Sequence, residues 1–262
     1  LLEPELLKQA GDIKRNTKEE EIMEIGIYPN KKFDNDVKVF EYKLSIGKPF
    51  TFSKYADGEW MAMRNRRFNN REFRMGSGQD YNVARKKLVN SFRYQHPNYY
   101  VGISCPCCQG DAFGKMYRSS GQPRENLTWA NIWVNANYDY FLSNIIPSFE
   151  DYKIQLVANE NSKFENLPFR AEKIWKVSNN AWIVNADKVE ELCDAASRSQ
   201  NALFLFCCGP FGNILAHNMT VVSDKNTYLD IGSTLNPFLR SQAFRRSYFA
   251  KHKHMKPCIW SA

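Results

Sequence analysis

Three short stretches of the sequence bring together side chains that could do chemistry. The first is Ser53-Lys54-Tyr55-Ala56-Asp57-Gly58-Glu59-Trp60, in which two carboxylates stand one residue apart around a glycine that permits a tight turn. Oxygen donors at this spacing suit Mg²⁺ or Mn²⁺, hard cations that take one or two protein carboxylates together with substrate phosphates. The same residues also read as a polar turn capping the next helix. The second stretch runs from Cys208-Gly209-Pro210-Phe211-Gly212 to His217: an apolar run ends in a glycine-containing turn and opens a helix. Backbone amides at such a helix start favour a phosphate. The segment lacks the Gly-Lys-Ser/Thr of a P-loop and is not a full GxGxxG, so a tight strand–helix connection is the alternative. The third is Tyr228-Leu229-Asp230-Ile231-Gly232-Ser233, where Asp230 could bind a ribose hydroxyl, a sugar or a metal, or cap a turn. Cys105-Pro106-Cys107-Cys108 has the look of half a zinc site, but no second CxxC or paired His stands at finger-like spacing.

Each of these loops follows a short apolar run. Such runs occupy residues 51–55, 99–104, 153–158, 202–208 and 227–231, and they alternate with helically spaced segments at 36–46, 82–95, 136–146, 187–197 and 212–219. Strand–helix alternation predicts an α/β fold: a mostly parallel, Rossmann-like sheet with helices on both faces. In open sheets of that kind ligands bind beyond the carboxyl ends of the strands, which is where the three stretches fall. No repeat and no Gly/Ser- or Pro-rich linker divides the chain. The expected organisation is a charged N-terminal extension over residues 1–35, with a short helix at 18–25, followed by a single domain over 36–262 with a basic C-terminal tail.

Composition removes other classes. The 262 residues are 43% hydrophobic and include 37 aromatics, enough for a real core, so disordered and low-complexity chains are excluded. The longest apolar stretch, residues 202–216, is interrupted by Gly209, Pro210 and Gly212 and is too short to cross a bilayer as a helix. The N-terminal residues lack the basic and apolar regions of a signal peptide. Seven cysteines, an odd number with some inside apolar runs, fit a reducing compartment, and the expected location is cytoplasmic. The net charge of +8 favours anionic partners. The excess is concentrated in residues 64–74, with five Arg and one Glu, and in 240–262, which hold no acid.

The order of the motifs carries more than any one of them. The chain resembles the GT-D-type glycosyltransferases, sugar-nucleotide-dependent enzymes first catalogued as a domain of unknown function. FSKYADGEW is similar to the family's Ser-x-x-Arg-x-Gly-Asp-Gly-Glu, and Gln79-Asp80 with Ala84 and Leu88 to its Gln-x-x-Asp-x-x-Leu-Ala. WANIWVNANY (129–138) resembles a Gly-Asn-Ala-Phe-Ile-Ser-Arg-Pro-Tyr segment, VSNNAWIVNADKVEEL (177–192) a Pro-x-x-Asn-Ala-Phe segment, and CCGPFGNILAHNM with YLDIGS a Gly-Pro-x-x-x-x-Leu-Ala followed by Asp-Ile-Gly. The matches are collinear from about residue 37 to 236. The family's Arg before Gly-Asp-Gly-Glu is Lys54 here and its Gly is Ala56; Lys keeps the charge without the bidentate fork. The Arg of its Ser-Arg-Pro-Tyr falls on Ala136, between Asn135 and Asn137.

The resemblance implies transfer of a sugar from a nucleotide-diphosphate sugar, expected to be a UDP-sugar, to a hydroxyl of a glycan or glycoconjugate. It implies Asp57 and Glu59 as metal ligands for Mn²⁺ or Mg²⁺ and as catalytic residues. It places Lys54, Asn135, Lys163, Gly209, Pro210 and Gly212 at the nucleotide sugar. If the reaction inverts, an acceptor base is needed; His217, Asp80 and Asp230 are candidates, with Asp230 preferred. The rival readings are a nucleic-acid-binding module using the Arg-rich stretches, a non-catalytic sugar-nucleotide-binding protein, and a metal-dependent nucleotide hydrolase. No recognised RNA or DNA motif appears, so nucleic acid is not the expected partner.

Overall fold

The computed structural model describes residues 25–27, 35–70 and 72–240. The remainder of the expected helix at 18–25, most of the N-terminal extension and the basic tail beyond Arg240 lie outside the described residues. The strands in chain order are β1 (Thr51–Lys54), β2 (Phe68–Asn69), β3 (Arg74–Met75), β4 (Tyr99–Ile103), β5 (Leu127–Trp129), β6 (Lys153–Asn159), β7 (Lys173–Val177), β8 (Ala202–Cys207) and β9 (Thr227–Asp230). The helices that matter to the site are α1 (Asn35–Ser45), α2 (Asp57–Met63), α3 (Gln79–Arg93), α4 (Pro106–Ser120), α5 (Ala181–Val184), α6 (Lys188–Ser197), α7 (Pro210–Val222) and α8 (Asn236–Leu239).

Seven strands form one parallel sheet in the order β5-β4-β1-β9-β8-β6-β7, and β2 and β3 form a separate antiparallel hairpin. A parallel sheet is covered on both faces, which is why its strands read as continuous apolar runs. Along β8 the side chains alternate between two cores: Phe204 and Phe206 pack with α3, α6 and α7, while Leu203 and Leu205 pack with α1 and the Phe141–Phe149 region. All five strands expected from apolar runs are present. The sequence reading passed over β5 and β7 at the two sheet edges and the β2–β3 hairpin.

Two helical expectations change in detail. Residues 136–146 hold only one turn of α-helix, Tyr138–Tyr140, which widens into a π-helical turn at Phe141–Ile145; the amide of Ile146 reaches the carbonyl of Phe141, five residues back, at 3.0 Å. Cys105-Pro106-Cys107-Cys108 is the start of α4, with Pro106 in the first turn, where a missing N–H costs nothing, and left-handed Gly121 after the last turn.

Candidate active site

The sheet reverses its order of filling between β1 and its neighbour β9, and a cleft of about 400 Å³ opens at the carboxyl ends of β1, β4, β8 and β9. Its walls begin with β1. Asn213, in the first turn of α7, donates from Nδ2 to the Lys54 carbonyl at 2.7 Å and to Ser53 Oγ at 3.1 Å. That buried amide ties the end of β1 to the start of α7, so the Lys54 loop and the Gly209 turn form one wall.

Asp57 and Glu59 sit in the first turn of α2 and both line the cleft, but they are not equivalent. Asp57 is exposed. Glu59 is buried, 6% exposed, and its Oε2 accepts the amide N–H of Ala56 at 2.9 Å. This is half of a capping box, because Ala56 has no side-chain oxygen to complete it. Burial raises the Glu59 carboxyl above its ordinary range, opposed by the charge of Lys54.

Asp230 lies at the end of β9, 3% exposed, behind the cleft surface. Its Oδ2 accepts the Lys54 N–H at 3.3 Å and its Oδ1 the Gly232 N–H at 3.1 Å. Burial lifts its pKa to about 7; Lys54 opposes this and the nearby Glu59 charge adds to it. Lys54 thus stands between two buried carboxylates. Gly232, with φ of 52°, leaves it room: a Cβ there would come within 3.0 Å of Lys54 Nζ.

The structure brings Lys54, Asp57, Glu59, Asn135 and Gly209 to the cleft. Pro210 and Gly212 are buried behind it. The Gly212 N–H donates to the Gly209 carbonyl at 2.8 Å, and a Cβ on Gly212 would lie 3.0 Å from Phe206 and 3.4 Å from Asp230, so this glycine lets α7 pack on the sheet. Lys163 is exposed and does not line the cleft; its backbone N–H bonds the Leu239 carbonyl at 3.0 Å. The cation contributed from that side is Arg240, just after α8. His217 packs against the Tyr94 ring at 4.6 Å, and Asp80 is exposed on α3; neither lines the cleft.

Sequence reasoning passed over the hairpin that carries Asn70, Glu72 and Phe73 into the cleft wall. The Phe73 ring is wedged against two glycines: a Cβ at Gly58 would lie 2.5 Å from it, and one at Gly209 3.0 Å. Asn180, buried and left-handed at φ 58°, fastens the hairpin. Its N–H donates to the Glu72 carbonyl at 2.9 Å, and its Oδ1 accepts the Arg74 N–H at 3.1 Å and Trp182 Nε1 at 2.8 Å. This is the Asn of the Asn-Ala-Trp segment on which the family resemblance drew.

Among the described residues, no three His, Cys, Asp or Glu side chains are grouped to hold a metal ion. The carboxylates of Asp57 and Glu59 fit a hard cation that takes its remaining ligands from substrate phosphates and water.

No protein-family model and no curated protein matches this sequence. Solved structures do. A selenomethionine structure of domain of unknown function 1792 is similar at a TM-score of 0.58, with 12% identity over 82% of this chain and 80% of that one. A second structure, described as showing that this highly conserved domain has a distinct glycosyltransferase fold, is similar at 0.54 with the same identity and coverage. A third, described as a new glycosyltransferase (DUF1792) from Streptococcus sanguinis, gives 0.52 at 12% identity over 74% of this chain and 78% of that one. The chain therefore has the α/β glycosyltransferase fold of the domain 1792 structures. This is the fold expected from its motifs.

Proposed function

We propose that this protein is a metal-dependent glycosyltransferase that moves a sugar from a UDP-sugar to a hydroxyl of a glycan or glycoconjugate. The observation that carries the reading is the convergence of Lys54, Arg240, Asp57 and Glu59 on one cleft at the strand ends of a glycosyltransferase fold. The difficult charge in such a transfer develops on the departing diphosphate. Lys54 and Arg240 supply fixed positive charge for it, and the Gly209 turn lets backbone approach closely. Asp57 and Glu59 would hold Mn²⁺ or Mg²⁺, whose chemistry is Lewis-acid neutralisation of that charge. Asn135, with Asn131 beside it on the β5 side, offers amide donors and acceptors to donor hydroxyls. Asp230 acts through Lys54, whose backbone it holds, rather than on the acceptor. Of the Gly209-to-Gly212 turn, only Gly209 lines the cleft and is placed to meet the donor. No helix among the described residues is long and apolar enough to cross a membrane. The free thiols of Cys207 and Cys208 at the cleft support a cytoplasmic setting.

The test is thermal unfolding with a panel of nucleoside diphosphates and nucleotide sugars, with and without Mn²⁺, on wild type and on the Asp57→Ala, Glu59→Ala double variant. A ligand at about 100 times its Kd stabilises by about 2.7 kcal/mol. The expected result is a metal-dependent shift by uridine ligands that disappears in the variant. Absence of a shift with every nucleotide, beside salt-sensitive binding to an oligonucleotide, would overturn the reading.

A further inference from the structure

A second, shallower groove of about 560 Å³ lies between α2 and α4, lined by Asp57, Trp60, Met61, Gly110, Asp111 and Ala112. Asp57 lines both cavities, so the groove adjoins the cleft at that residue. Its acids, Asp57 and Asp111, are exposed. Its other walls are apolar or aromatic. Along α2 the chain leaves the cleft, and Arg64 stands about 10 Å further on by the helical rise. The Arg64 guanidinium lies 5.7 Å from the Trp60 ring centre. The turn that follows is fixed to the end of α2: the Arg66 N–H bonds the Met61 carbonyl at 3.0 Å, and the Asn65 N–H bonds the Ala62 carbonyl at 3.0 Å. Arg64, Arg66 and Arg67 are all exposed, and no acid occurs between Trp60 and Asn70.

We propose that this groove is the acceptor site and that the acceptor is a saccharide carrying a phosphate group distal to the receiving hydroxyl. The proposal rests on the transferase reading of the adjoining cleft. Charge fixes the orientation. Asp111 repels phosphate from the cleft end and accepts hydrogen bonds from sugar hydroxyls. Arg64, beside Trp60, and Arg66 and Arg67, in the exposed turn that follows α2, present forked donors that match phosphate oxygens. Trp60 offers an aromatic face to the apolar side of a sugar ring.

Two variants separate the parts. Gly110 sits within α4 with open space where a Cβ would project, so Gly110→Leu fills the groove without strain and removes a helix-weakening glycine. Arg66→Glu with Arg67→Glu inverts charge on an exposed turn. The probes are an alkyl disaccharide bearing one phosphate monoester and its unphosphorylated twin, titrated by NMR on the Trp60 indole N–H. The donor-induced thermal shift reports that each variant is folded. In wild type at about 50 mM salt the phosphorylated probe should bind about tenfold tighter than its twin, and this margin should collapse at about 0.5 M salt. The margin should vanish in the double Arg variant, while Gly110→Leu should weaken both probes about tenfold or more. Equal affinity for the twins, a margin that survives the Arg changes, or an unaffected Gly110→Leu would overturn the proposal. Loss of the donor-induced shift in wild type would instead strike the transferase reading, which identifies the two failures separately.

Discussion

Glu59 caps its own helix while facing the cleft, so its two roles separate by mutation. Glu59→Gln keeps an acceptor for the Ala56 N–H and removes a buried charge. Its unfolding free energy in urea should stay within about 0.5 kcal/mol of wild type, while transfer falls on the order of 10²-fold. Glu59→Ala loses the cap as well and should cost about 1 kcal/mol. A transfer rate unchanged in Glu59→Gln would remove the carboxylate from the reaction. Asp230 yields a pH prediction. Its pKa is about 7 in the native state and about 3.9 unfolded, so the native chain holds an extra proton across that window. Stability therefore falls as pH rises from about 4 to 7, by at most roughly 4 kcal/mol from this group. Asp230→Asn should flatten the slope between urea midpoints at pH 5 and pH 8; an unchanged slope would refute the assignment. Lys54, Asp57, Glu59 and Gly209 were legible in the sequence because each lies at, or within five residues past, the end of an apolar strand. Arg240 and Glu72 were not, because the chain reaches the cleft there from α8 and from a hairpin that no strand run announces.

The hairpin owes its place to an amide rather than to pairing, since two-residue strands have little stability of their own. Asn180→Ala removes two accepted hydrogen bonds and leaves an alanine at φ 58°. It should cost about 1–3 kcal/mol and release the Arg-rich segment. Trypsin should then cut at Arg66 or Arg67 much faster than in wild type; equal rates would show that Asn180 does not hold the segment. Strands so short carry no period for a sequence reading to detect, which is why residues 64–74 read only as a charge cluster. β7 was hidden differently, its Ile174, Trp175 and Val177 broken up by Lys173 and Lys176 at the sheet edge. The signals for α4 were present, Pro106 and Gly121, but the cysteines beside Pro106 drew the reading toward metal chemistry.

Both cores are built on one sheet, and β8 feeds each in turn. Leu205→Ala and Phe206→Ala, neighbours facing opposite ways, should each cost about 2–5 kcal/mol and still melt as one transition. Two separated transitions in calorimetry would mean that the faces are independent. Architecture at this scale was the most legible part of the sequence, because burial on both faces turns each inner strand into an unbroken apolar run. The strand order has a further consequence, for synthesis. β1 is the first strand of the sheet to leave the ribosome, yet one of its two partners is β9, the last. Until residue 230 emerges, a nascent chain carries two half-sheets, β5-β4-β1 and β8-β6-β7, each with an open edge along the line where the cleft will form. Such edges are templates for foreign strands until β9 fills the gap between them. A polypeptide that stops short of β9 lacks the strand that joins the half carrying Lys54 to the half carrying the Gly209 turn, and only the packing of α7, with its Asn213 amide on the end of β1, is left to hold the two together.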